Sequence, residues 1–318
     1  MIAKRKVILV GTGFVGMSMA YALINQGNAS GVNELVLIDV LKDKAEGEAM
    51  DLCHGLPCSP SHMKVKAGDY SECKDADIVV ITAGLSQKPG QTRLELSNAN
   101  AKIMKDITLQ VVNSGFKGIF LVASNPVDLM TKVVQEVSQF PTRKVIGSGT
   151  ALDTCRLRYM IGEYLNVSNK NVHAYIMGEH GDSSFVPWDH AYVGCKKIQD
   201  ILKDSKKDLS DLDKIYVEVR DAAYEIIEKK KATYYGIGLG LAKIVKTILN
   251  DTNEILTVSA HLNGEYGHKD IYIGVPAVIN SKGARELLEL ELNPEDQKRL
   301  DESCAVLTEN MKNIREVI

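Results

Sequence analysis

Val7-Ile8-Leu9-Val10-Gly11-Thr12-Gly13-Phe14-Val15-Gly16 is the stretch on which the fold turns. Its first four residues form an unbroken apolar run, as expected of a strand covered on both faces, and Met17 to Gln26 is a good helical sequence. Strand, glycine turn and helix in that order give G-x-G-x-x-G its meaning. The first glycine permits the turn, the second lets a pyrophosphate approach the backbone, and the third lets helix and strand pack closely. The pyrophosphate then sits on the helix N-terminus, where free N–H groups and the dipole attract anions. The next apolar run, Leu35-Val36-Leu37-Ile38, ends in Asp39, placed to accept hydrogen bonds from an adenosine ribose. A carboxylate there repels a 2′-phosphate and favours NAD over NADP, while FAD stays open on these residues alone.

Outward from this unit, short strand-like runs alternate with helical stretches: Lys64 to Ala67, Asp77 to Thr82, Gly118 to Ala123 and Lys144 to Ile146. Such alternation predicts a parallel sheet covered on both faces. The run ending in Thr82, Ala83 and Gly84 should open on the ligand crevice at the carboxyl ends of the strands. Beyond Ser184 the pattern changes. Phe185 to Val193 reads as a strand, Leu209 to Lys231 and Thr233 to Leu249 as helices, Glu254 to Leu262 and Ile271 to Ile279 as an antiparallel pair, and a charged helix follows from Pro294. The expected architecture is a Rossmann-type doubly wound parallel sheet over residues 1–147 followed by an α+β substrate domain over 148–318.

Composition narrows the function classes. The chain has 318 residues, a formal net charge of −3 and interspersed signs, which leaves no basic stripe for nucleic acid and no cationic face for a membrane. No segment reaches transmembrane length and the N-terminus does not read as a signal peptide. Six scattered cysteines without a Cys-x-x-Cys pair fit a reducing cytoplasm, where the sequons at Asn28 and Asn166 would not be glycosylated. Cys53, His54, Cys58 and His62 lack the spacing of a zinc site, so no metal is expected. Gly236-Ile237-Gly238-Leu239-Gly240 imitates a nucleotide loop, but no strand precedes it, and close helix packing is the expectation.

Candidate chemistry gathers at four places. In Gly178-Glu179-His180-Gly181-Asp182-Ser183-Ser184 an imidazole lies between glycines and acids, after the apolar run Val172 to Met177. In the helix opening at Ala151, Asp153 and Arg156 share a face, whereas Arg158 lies about 200° round the axis from Arg156. The polar loop Leu85 to Arg93, with Pro89-Gly90 at its middle, reads as a mobile segment beside the crevice that can bring Arg93 in by closing. In Ser124-Asn125-Pro126-Val127-Asp128 the proline stops the strand and leaves Asn125 as a turn residue or ligand donor.

Together, Gly11/Gly13/Gly16 with Asp39, Gln87-Lys88-Pro89-Gly90-Gln91-Thr92-Arg93, Ser124 to Asp128, Gly149 to Arg156 and Gly178 to Asp182 resemble the NAD-dependent L-lactate dehydrogenases, over nearly the whole chain. The start close to the first strand resembles the bacterial branch. The resemblance implies that His180 exchanges a proton with the substrate oxygen, that Asp153 orients His180, that Arg156 grips the substrate carboxylate and that Arg93 stabilises charge on the carbonyl oxygen. It further implies that Asn125, Thr233 and Ile237 line the substrate and nicotinamide pockets, with Phe14, Val15, Thr82, Ala83 and Gly84 beside the cofactor. Gln87 stands where malate dehydrogenases of the superfamily carry arginine for a second carboxylate, so pyruvate and L-lactate are the expected substrates. Arg158 and His173 match positions that bind fructose 1,6-bisphosphate between subunits in allosteric bacterial members, and a homotetramer is implied. The rival expectations are a malate dehydrogenase and a non-catalytic NAD-binding protein that kept the fold.

Overall fold

The computed structural model describes residues 5–85, 93–316 and 318, with Arg93 and Leu94 described by their backbone alone. The glycine-bearing stretch forms β1 (Lys6–Val10) and α1 (Phe14–Gln26). There follow β2 (Glu34–Ile38), α2 (Lys42–Gly55), β3 (Lys64–Ala67), β4 (Ile78–Ile81), α3 (Arg93–Asn113), β5 (Ile119–Val122), α4 (Val127–Ser138) and β6 (Val145–Gly147). The sheet order β6-β5-β4-β1-β2-β3 is parallel throughout and reverses direction between β1 and β4, the topological switch at which such sheets bind ligands. All residues of β1, β4 and β5 are buried, which is why they read as continuous apolar runs. Each fully buried Val, Leu or Ile stabilises by roughly 1.5–3 kcal/mol.

The second half starts with α5 (Ala151–Leu165) and continues through β7 (Val172–His173), β8 (Tyr192–Val193), β9 (Lys196–Lys197), α6 (Ile198–Asp204), α7 (Ser210–Lys230) and α8 (Tyr235–Leu249). It ends with β10 (Glu254–Asn263), β11 (Lys269–Asn280), β12 (Gly283–Leu287) and α9 (Pro294–Arg315). The antiparallel β10–β11 pair is as expected, but it does not stand apart. Ser259 pairs with Gly147 of β6, so β10, β11 and β12 extend the parallel sheet to nine strands. One apolar core runs through both halves, and a second, smaller core lies among α5, β7, α6 and α7.

Two local expectations are corrected. Phe185 to Val193 is no strand: Phe185 makes an isolated bridge to Met177, Trp188–His190 is a single 3₁₀ turn after Pro187, and only Tyr192–Val193 extend. The run Val172 to Met177 is likewise extended at its two ends only, as β7 and the Met177 bridge. Both runs are apolar because they are buried, not because they pair along their length.

Candidate active site

At the start of α5, Asp153 receives two cations. Arg156, one turn on, donates from Nη1 to Asp153 Oδ1 at 2.8 Å, and His180 Nδ1 lies 2.7 Å from Asp153 Oδ2. A carboxylate in the first turn of a helix also faces the positive end of the helix dipole. Burial works against the charged form of Asp153, but the His180 and Arg156 charges outweigh it and lower its pKa. For His180, burial disfavours the charged ring, yet Asp153 beside it, and Asp128 more distantly, push the imidazole up to about 9. The ring is nonetheless 30 % exposed, and that exposed part opens on a cavity.

The glycine turn carrying His180 is anchored at three successive main-chain N–H groups. Gly178, at φ +100°, exchanges hydrogen bonds with Gly274 of β11 at 3.0 Å in both directions. The N–H of Glu179 donates to Ser303 Oγ of α9 at 2.6 Å, and that of His180 to Asp128 Oδ2 of α4 at 2.8 Å. With Nδ1 engaged by Asp153, Nε2 is the ring nitrogen left to the cavity. That cavity, of about 200 Å³, is lined by Asn125, Asp153, Arg156 and His180 and walled by α7 through Val219, Arg220, Ala223 and Tyr224. Sequence reasoning missed the α7 wall. Val219, Ala223 and Ile227 recur every four residues, which marks a helix face but not the cavity it covers.

Other expected residues lie elsewhere. Thr233 and Ile237, just before and inside α8, are not among the residues lining this cavity. Gln87 and the side chain of Arg93 lie outside the described residues. Arg158 leaves α5 on another face, as its position round the helix requires: Nε donates to Ala174 O at 3.0 Å and the guanidinium lies 5.0 Å from the centre of the Tyr175 ring. This brings it to the segment that follows the exposed His173.

At the carboxyl ends of β1, β2 and β4 the glycines differ in what surrounds them. A Cβ on Gly11, at φ +102°, would lie 2.6 Å from Ala83 N, and one on Gly16 would lie 2.3 Å from Gly11 O. A Cβ on Gly13 would meet nothing within 4 Å. Gly13 is also the N-cap of α1 and supplies no side-chain cap, so the first helical N–H groups face that open space. Asp39 Oδ2 accepts from both N and Oγ1 of Thr12 at 2.8 Å, and Oδ1 from Leu41 N at 3.0 Å. Burial opposes its charge, but these donors lower its pKa and keep it a carboxylate. Thr82 Oγ1 donates to Gly11 O at 2.8 Å, closing the turn from the β4 side. Phe14, largely exposed at the start of α1, stacks on Tyr234 at 5.1 Å, and Val15 packs against the core. The open cradle at Gly13, the uncapped helix end and the ionised acid fit NAD. No group of metal-ligating side chains occurs among the described residues.

A dinucleotide crevice beside an Asp-oriented histidine and an arginine defines a nicotinamide-dependent dehydrogenase. Residues 5–147 match the lactate/malate dehydrogenase NAD-binding domain, and residues 150–318 the lactate/malate dehydrogenase alpha/beta C-terminal domain. Among curated relatives, L-lactate dehydrogenase 1 of Bacillus cereus is 56% identical over 307 residues, 96% of this chain and 97% of its own length. L-lactate dehydrogenase 2 of Bacillus anthracis is 57% identical over the same span. Among solved structures, a lactate dehydrogenase from a deep-sea metagenome library superposes with a TM-score of 0.96 at 51% identity, covering 99% of this chain and 100% of its own. The ligand-bound minor L-lactate dehydrogenase of Enterococcus mundtii gives a TM-score of 0.95 at 49% identity over 98% of this chain and 99% of its own. The chain belongs to the lactate/malate dehydrogenase family and is an NAD-dependent oxidoreductase of 2-hydroxy acids.

Proposed function

We propose that the chain is an L-lactate dehydrogenase that reversibly reduces pyruvate to L-lactate, with His180 as proton donor and acceptor. The observation that carries this reading is the Asp153–His180 contact at 2.7 Å beside Arg156 in one cavity. When bound, NADH supplies the hydride that reaches the carbonyl carbon. His180 gives the proton from Nε2 to the carbonyl oxygen and takes it back in the reverse direction, while Asp153 holds Nδ1 and favours the imidazolium. Arg156 receives the substrate carboxylate through paired hydrogen bonds that a lysine cannot reproduce, and Asn125 donates near the carbonyl oxygen. Arg93 and Gln87 belong to the same reading: the first stabilises charge on that oxygen, and the second leaves a neutral space for the pyruvate methyl group. The NAD contacts assigned to Gly11, Gly13, Phe14, Val15, Gly16, Asp39, Thr82, Ala83, Gly84, Asn125 and Ile237 belong to the same reading, and the open space at the Cβ position of Gly13 supports that contact directly. The division at residue 147/148 falls between β6 and α5 and separates the NAD-binding strands from the helix that supplies Asp153 and Arg156. Oxidation of NADH by the purified protein, followed at 340 nm with pyruvate and with oxaloacetate in turn, tests the reading. A higher kcat/KM with oxaloacetate would show a malate dehydrogenase, and no turnover with either would show a protein that only binds NAD.

Regulation by fructose 1,6-bisphosphate at Arg158 and His173, across an interface of a homotetramer, belongs to the proposal. It is supported by the placement of Arg158 beside the segment following His173 and away from the cavity. Exposed Phe14, Tyr21, Tyr235 and Leu239 around one recess between α1 and α8 support association. No helix among the described residues is long and apolar enough to cross a membrane. If the bisphosphate leaves both the pyruvate saturation curve and the sedimentation behaviour unchanged, that part of the proposal is wrong.

A further inference from the structure

Tyr216, Arg220 and Tyr224 recur every four residues on α7 and so lie along one face of the helix. That face meets the histidine turn. The Tyr216 hydroxyl donates to the Ser184 carbonyl and lies 3.2 Å from Ser184 Oγ, and the Tyr224 hydroxyl donates to Asp182 Oδ1 at 3.1 Å. Arg220, between them, lines the cavity that holds His180 and Arg156, and nothing in the chemistry above uses it. Its Nε and Nη2 donate to Asp221 at 2.8 and 3.2 Å, while Nη1 makes no hydrogen bond among the described residues. Asp221, the next residue along the helix, is 49 % exposed at its side chain and does not line the cavity. A pair between such exposed neighbours contributes little to stability, so α7 does not depend on it for folding. Among the described residues lining the cavity, Arg156 and the protonated His180 stand against Asp153 and Asp182, and Arg220 is the cation in excess. An anionic substrate brings one more negative charge into this space, which Arg220 balances.

We propose that Arg220 is a specificity-determining residue for the reaction: as the surplus cation of the cavity it draws in and holds a singly charged 2-oxo acid, while Arg156 makes the direct contact with the carboxylate. The proposal rests on the reading of Arg156 as receiver of that carboxylate. The charge of Arg220 acts through space, so it needs no contact with substrate, and distance and screening set its strength. The apolar side chains of Val219, Ala223 and Ile227 on the same helix line the cavity as low-dielectric walls, which concentrate the field in it. Asp221 works the opposite way. From outside the cavity it offsets part of the Arg220 charge, so its neutralisation should strengthen the attraction. Two adjacent residues thus have opposite expected effects on one quantity, which a loss of folding cannot imitate.

Arg220→Gln, Arg220→Lys and Asp221→Asn in the full-length protein test this. The measurements are kcat and KM for pyruvate, NADH affinity, and the affinity of the NADH-loaded protein for oxamate, an unreactive isostere of pyruvate. Each is made at about 0.01 M and about 1 M ionic strength, where the Debye length is about 30 Å and about 3 Å. In Arg220→Gln at the lower ionic strength, KM and the oxamate dissociation constant should rise together by about three- to tenfold, with the change in KM rather than in kcat. At the higher ionic strength the difference from wild type should shrink to less than about twofold. NADH affinity, set by the Gly13 cradle, should stay at the wild-type value. Arg220→Lys keeps the charge and should stay within about twofold of wild type, and Asp221→Asn should bind oxamate about two- to threefold more tightly at low ionic strength. Wild-type oxamate affinity in Arg220→Gln at low ionic strength overturns the proposal. So does a loss that persists undiminished at high ionic strength, that Arg220→Lys shares or that lost NADH binding matches, and so does Asp221→Asn binding no tighter than wild type. Arg156→Lys serves as the control. If it keeps wild-type oxamate affinity, the reading of Arg156 fails and Arg220 with it; if it loses that affinity while Arg220→Gln keeps it, Arg220 alone fails.

Discussion

Asp153 is the residue whose surroundings the site depends on most, because one carboxylate answers both an imidazole and a guanidinium. In Asp153→Asn the hydrogen-bonding shape survives and the charge does not. Pyruvate affinity and kcat/KM should therefore fall by ten- to a hundredfold, about 1.4–2.7 kcal/mol, with NADH binding unchanged. Unchanged pyruvate kinetics in that variant would break the His180 assignment. The pH dependence has a definite sign. With His180 pushed up to about 9, pyruvate reduction needs the proton and should decline as pH rises through that value, while lactate oxidation should gain. The same raised pKa makes the contact a stability term that is fully present below the unfolded-state value of about 6.5 and is lost as pH climbs through about 9. Melting temperatures across that window, in wild type and Asp153→Asn, measure it. Gln87→Arg should move preference from pyruvate toward oxaloacetate by a few kcal/mol, read as the ratio of the two kcat/KM values. The types and chain positions of these residues are legible in the sequence; the three anchors of the His180 main chain are not, because they come from α4, β11 and α9, remote in the chain.

At the scale of elements, the β1–α1 unit separates two kinds of glycine that look alike in the motif. Gly16→Ala would force a Cβ to 2.3 Å from Gly11 O and 2.8 Å from Thr82 Oγ1, so it should destabilise by about 1–3 kcal/mol or more and lower NADH affinity as a consequence. Gly13→Ala has open space and an ordinary extended backbone, φ −76° and ψ −179°, and should melt within about 0.5 kcal/mol of wild type. Its NADH affinity should nevertheless drop at least tenfold, since the methyl group would occupy the place of the pyrophosphate. A Gly13→Ala protein with wild-type NADH affinity would remove the pyrophosphate from that position. The long helix α7 and the short strand β3 were both legible almost to the residue. The two-residue strands β7, β8 and β9 were not, since strands that short exist only because a partner is alongside.

At the scale of the molecule, the sheet crosses the junction near residue 147 that the sequence marks as a change of pattern. β10 pairs with β6, and α8 packs on α1, so strands and helices from after the junction cover what the first half would leave open. A fragment of residues 1–147 should accordingly lack a cooperative thermal transition by circular dichroism, whereas the full chain melts with one; a fragment that melts sharply would refute this. The sequence by itself determined the parallel βα order and the glycine fingerprint, because strand burial and turn chemistry act over a few residues, and helix spacing put Asp153 and Arg156 on one face; the roles given to His180, Asp153 and Arg156 came from the family resemblance. Tertiary structure alone decided that β10 to β12 join the parallel sheet, that α7 walls the cavity, and that Asp128 and Ser303 hold the histidine turn. Those contacts link residues many positions apart, and no local period or propensity records which buried faces will meet.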